Sequence, residues 1–100
     1  MTKAVQESRK EAALEALERL IKIAKGDTGQ CGRVARFLLS WWNASEQGGF
    51  DQTDLWGLDR EIVSDVARVF GFIATTQIYP DKLGYADDFA QIIERWGRTT

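Results

Sequence analysis

Apolar residues recur along this chain at intervals of three and four, and they do so in four separate runs. Ala13, Leu14, Leu17, Leu20, Ile21 and Ala24 share one stripe, which predicts a long helix opened by a Ser8–Glu11 capping box and closed at Gly26. Asp27 and Thr28 then stand where oxygen acceptors meet the free amides of a second helix, predicted from Gly29 to about Ser45 with Val34, Phe37, Leu38 and Trp41 on its apolar face. Gly48 and Gly49 tolerate positive φ and break it, and Phe50 to Trp56 reads as a turn leading into one short helical turn. A third helix, capped by Asp59, is expected to bury Ile62, Val66, Val69, Phe70 and Ile73 and to fray at Thr75 and Thr76. Tyr79 to Gly84 is a proline-initiated turn closed by glycine. The last helix, Ala86 to Trp96, places Phe89, Ile92, Ile93 and Trp96 on one face, Asp87 and Asp88 in its first turn, and Gly97 at its stop.

No strand-like alternation is long enough to build a sheet, and no repeat or linker interrupts the pattern. The fold class is therefore all-α, a small irregular bundle of about four helices plus short helical turns. One hundred residues bury roughly 60 to 70% of their unfolded surface, which suits a single domain over residues 1–100, with 1–7 expected to fray. A hydrophobic fraction of 44%, with four Trp, five Phe and two Tyr, is enough to fill one core.

Composition narrows the chemistry. Cys31 is the single cysteine and histidine is absent, so an internal disulfide cannot form and a reducing, cytoplasmic setting is expected. The first 25 residues hold no continuous apolar stretch, so neither a signal peptide nor a membrane span is expected there. A nucleophile needs a nearby base, and Cys31 has only Arg33 close by, so it reads as a small half-buried residue rather than a reactive thiol. Asp51, Asp54, Asp59 and Glu61 miss calcium-loop spacing, because Thr53 and Trp56 fall where an oxygen ligand and a glycine belong. Gly26, Gly29 and Gly32 lack the strand and the Lys-Ser/Thr pair of a phosphate cradle. No metal, cofactor or catalytic group is expected.

What remains is surface. A net charge of −2 argues against a generic nucleic-acid binder. Residues 46–65 carry six acidic side chains against one basic, a cluster that suits a positively charged partner or several helix caps falling together. Trp41 and Trp42 point about 100 degrees apart, so one of them is expected at the edge of the apolar stripe. The corner from Asp27 to Gln30 also admits a helix-turn-helix reading in which Gln30, Arg33 and Arg36 face DNA, although an ordinary helical hairpin accounts for the same residues.

The segments D-T-G-Q (Asp27 to Gln30), F-L-L-S-W-W-N-A (Phe37 to Ala44), G-G-F-D-x-T-D-L-W (Gly48 to Trp56) and Y-P-D-x-L-G-Y (Tyr79 to Tyr85) carry a resemblance over residues 25–96. In them the chain resembles a family of small proteobacterial mobile-element proteins similar to anti-CRISPR inhibitors of the type I-F surveillance complex, some of which also act on type I-E. The resemblance implies a stoichiometric inhibitor whose partner is that protein complex, docked where its large PAM-reading subunit meets a backbone subunit; a monomer is expected, with no direct nucleic-acid or membrane contact. No residue contacts carry over with it. On exposure and charge alone, Asp51, Asp54 and Asp59 would meet basic side chains and Asp27, Gln30 and Asn43 would add polar contacts at one helical corner; Trp56 is a further candidate contact, although a tryptophan in a small domain is more often core.

Overall fold

The computed structural model describes residues 3–97, with side-chain surroundings from Glu7 onward. Among the described residues there are four α-helices, α1 (Lys3–Ala24), α2 (Gly29–Gln47), α3 (Arg60–Thr76) and α4 (Ala86–Trp96), with 3-10 turns at Gln52–Gly57 between α2 and α3 and at Pro80–Leu83 between α3 and α4. No strand occurs among the described residues, and the molecule is the small all-α bundle that the periodicity predicts. Among the described residues no helix is long and apolar enough to cross a membrane.

Helix α1 is the spine, packing against each of the other three helices. Its buried stripe of Ala13, Ala16, Leu17, Leu20, Ile21 and Ala24 meets Val34, Ala35, Phe37, Leu38 and Leu39 of α2, Val66 and Val69 of α3, and Phe89 and Ile92 of α4. Each fully covered Leu or Ile contributes roughly 1.5–3 kcal/mol of transfer free energy, so this shared stripe dominates the stability. Polar links fix the register. Arg19 of α1 grips Asp65 of α3 with two bonds of 2.9 Å, and Asp65, only 8% exposed, is the buried charged residue among those described. Lys25 reaches Asp88 of α4 at 2.6 Å, and the Trp96 indole N–H donates to the Ala24 carbonyl at 2.9 Å.

Several local expectations need correction. Helix α1 begins at Lys3, so Ser8 and Glu11 lie inside it rather than capping it; of the residues expected to fray, 1 and 2 lie outside the described residues and 3–7 are helical. At α2 it is the Thr28 hydroxyl, not Asp27, that accepts from the Cys31 amide, at 3.3 Å. Gly48 alone takes positive φ, at 93°, while Gly49 does not. Asp59 occupies the N-cap position of α3 without a side-chain capping bond. Thr75 does not fray α3; its hydroxyl donates to the Gly71 and Phe72 carbonyls, and the helix continues to Thr76 before Gln77 turns left-handed.

Helix α2 is broken inside. Asn43 has φ −164° and ψ 86°, an extended backbone, and its Oδ1 accepts from the Glu46 amide at 3.2 Å. Those are the geometry and the bond of an N-cap residue, so the helical run from Gly29 ends at Trp42 and a single new turn starts after Asn43. Just before the break, Trp41 and Trp42 both lean on Phe89 of α4, with ring centroids 6.1 and 6.3 Å away.

Candidate functional site

The acidic segment folds back onto the first turns of α2. Asp51 opens the first 3-10 turn, accepting from the Thr53 amide at 2.9 Å and the Thr53 hydroxyl at 2.7 Å. These two donors favour the ionised carboxyl and hold Asp51 below the usual carboxylate range, the hydroxyl having the larger effect. Asp54 turns inward to Arg36 at 3.2 Å and Arg33 at 3.7 Å. Arg33 also donates to the Gly57 carbonyl at 3.4 Å, and it lies so close over Gly57 that any β-carbon there would strike the guanidinium. Gln30 closes the corner, accepting from the Asp59 amide at 2.6 Å and donating to its carboxylate at 3.4 Å.

Gln30, Asp54 and Asp59 are therefore brought together, but largely to satisfy one another and the two arginines. Asn43 stands apart: thirteen residues beyond Gln30 along α2, it lies roughly 20 Å away, so the polar contacts expected at a common helical corner are split between two places. Asp27 is exposed at the head of α2. Of the two aromatic ends expected to anchor this segment only Phe50 does so, together with Leu55; Trp56 is 85% exposed, because the 3-10 turn directs Leu55 inward and its neighbour outward. Phe37 and Phe50 meet edge to face with centroids 5.4 Å apart, which seats the turn against α2.

The surface beside this turn is apolar. A groove of about 570 Å³ runs between α2, the first 3-10 turn and α3, with Phe37, Trp41, Phe50, Leu55 and Val66 among its lining residues. Phe70, expected in the core, also lines this groove and is 66% exposed; Phe72 is buried in its place. Sequence spacing contains no signal for that exchange, because both phenylalanines flank the same stripe and only the position of α1 selects between them. Among the described residues no three His, Cys, Asp or Glu side chains are placed to hold a metal ion. Cys31 is half-buried and accepts the Thr28 hydroxyl at 3.0 Å.

Fold and surface together define a small all-α protein whose accessible features are an outward tryptophan and an aromatic-walled groove. Residues 14–97 match a family of unknown function (DUF7673), and the chain belongs to that family. No curated protein and no solved structure matches it.

Proposed function

We infer that this protein is a non-catalytic inhibitor that works by occupying a surface of another protein assembly, the type I-F CRISPR surveillance complex, and thereby keeps target DNA from entering or being unwound. The observation that carries the reading is Trp56, held 85% exposed in a turn whose other apolar side chain, Leu55, is seated against the core. Leaving a large aromatic in water forgoes the stabilisation that burial would bring, and tryptophans fixed on an ordered surface are the side chains that most often dominate protein interfaces. The choice of assembly rests on the resemblance carried by the motifs in residues 25–96. Electrostatics add a lesser term. Asp51, Asp59 and Glu61 remain exposed and can meet lysines and arginines that would otherwise guide DNA, whereas Asp54 is already neutralised by Arg33 and Arg36.

The DNA-reading alternative has no observation in its favour. Gln30, Arg33 and Arg36, the three side chains it requires, are engaged with Asp59, Asp54 and Gly57. Reading a groove would mean breaking those contacts first.

Binding of the tagged full chain to purified, RNA-loaded type I-F complex, followed by a target-DNA gel shift, tests the reading. Association is expected to suppress the shift, and Trp56→Ala is expected to weaken association about thirtyfold with an unchanged thermal midpoint. Absence of association at micromolar concentration would refute the inhibitor reading; association that Trp56→Ala leaves intact would refute the assigned surface alone.

A further inference from the structure

We propose that the cleft at the break in α2 is a receptor for a guanidinium group, presented as an arginine side chain by a protein partner. The cleft has a volume of about 550 Å³ and is lined by residues 40–45 together with Tyr79 and Asp81. Three independent features converge there. First, the helical run from Gly29 ends at Trp42 with no basic residue in its last turn, so the negative end of its dipole faces the cleft uncompensated. Second, Asp81 is a half-buried lining residue whose carboxylate has no hydrogen-bond or ion-pair partner among the described residues, and none of the described residues lining the space is basic. Third, Trp41, Trp42 and Tyr79 supply aromatic walls, and a ring face attracts a cation.

The arrangement is held in place. The Trp41 indole N–H donates to the Ile78 carbonyl at 3.2 Å, which ties the segment bearing Tyr79 and Asp81 to α2. Trp42 is backed by Phe89, and Asn43 is fixed by the bonds its Oδ1 accepts from Glu46 and Ser45. Ser40 donates its hydroxyl proton away, to the Phe37 carbonyl at 2.7 Å, and so offers only lone pairs outward.

The polar lining decides between kinds of cation. A quaternary ammonium ion needs a closed aromatic cage and makes no hydrogen bonds, whereas a guanidinium carries five N–H donors in a planar fork. A cleft with a carboxylate, two serine hydroxyls and a helix end among its aromatic walls matches the second. Tyr79, 61% exposed, stands at the open side, where the stem of an arginine can enter while its backbone stays outside. This assignment does not depend on which assembly the protein inhibits.

Titration of the full chain, labelled at its tryptophan indole nitrogens, with N-acetyl-arginine-methylamide tests it by nuclear magnetic resonance. Saturable shifts of the Trp41 and Trp42 indole signals are expected, with Trp56 unmoved as an internal reference. The neutral isostere N-acetyl-citrulline-methylamide is expected to leave them in place, and Asp81→Asn to weaken arginine binding about tenfold. Tyr79→Ala, at an exposed site, should weaken it also. Equal shifts from citrulline, an unchanged affinity in Asp81→Asn, or no saturable shift would overturn the site. Tighter binding of tetramethylammonium would overturn the guanidinium assignment, and markedly tighter binding of agmatine would overturn the protein-borne source.

Discussion

Gly32 sits in α2 beneath the Trp96 ring of α4, and replacing it with alanine sets two opposing effects against each other. A β-carbon built there would lie 2.9, 3.1 and 3.3 Å from three carbons of the indole. Ordinary contact begins near 3.4 Å, so the ring must retreat by about 0.5 Å. It is not free to do so, because its N–H is committed to the Ala24 carbonyl at 2.9 Å. Overpacking of this kind costs about 1–3 kcal/mol, and stretching the bond costs up to ~1 kcal/mol more. The gain in helix propensity from glycine to alanine is about 1 kcal/mol. The net effect is a loss of roughly 0 to 3 kcal/mol, centred on ~1.5 kcal/mol, or roughly 6 to 12 °C in thermal midpoint at that centre for a domain of this size. Gly71 is the control. It also lies inside a helix, α3, but beyond its chain neighbours and its own helix backbone nothing comes within 4 Å of its would-be β-carbon, so Gly71→Ala is expected to stabilise by about 0.5–1 kcal/mol. Chemical denaturation followed by far-ultraviolet circular dichroism measures both. If Gly32→Ala stabilises as Gly71→Ala does, the close packing of Trp96 on α2 is wrong.

Two further outcomes concern the acidic turn. Asp51 has its folded-state pKa depressed, so its contribution is full above the unfolded carboxylate value and is lost as pH falls through the lower folded value; acid titration should therefore loosen the first 3-10 turn, read as a change in Trp56 fluorescence, and Asp51→Ala should abolish that step. Asp54→Ala frees Arg33 and Arg36 at a surface site and is expected to destabilise by about 1 kcal/mol or less while raising affinity for random duplex at low salt, which a gel shift checks.

Elements whose signals are local were legible in the sequence. Pro80 and Gly84 bracket the second 3-10 turn, with Gly84 at φ 94°, and α4 spans Ala86–Trp96 as its stripe, first-turn acids and Gly97 imply. The break at Asn43 was equally local, since Asn43 and Glu46 have the spacing of a capping box, but the apolar stripe continues through them and masks it. Phe70 and Phe72 were not separable. On a helical wheel they stand about 80 degrees to either side of Ile62, so periodicity cannot say which is covered. Burial falls on the Phe72 side because α1 packs there, with Asp65 on that side also buried and bound to Arg19. The acidic cluster misleads for a related reason. Summing charge along a window cannot register that Asp54 is matched by Arg36, 18 residues earlier in the chain.

The Trp96–Ala24 bond joins residues 72 positions apart. As the polypeptide leaves the ribosome, α1 emerges early, yet the carbonyl at its end has to wait for a donor made almost a whole domain later. Helix α4, eleven residues long, is too short to hold its shape by itself and gains it on docking. Until that moment the nascent protein shows the hollow over Gly32 and the faces of Trp41 and Trp42 that Phe89 will cover, and this is the interval in which a chaperone or a protease meets it.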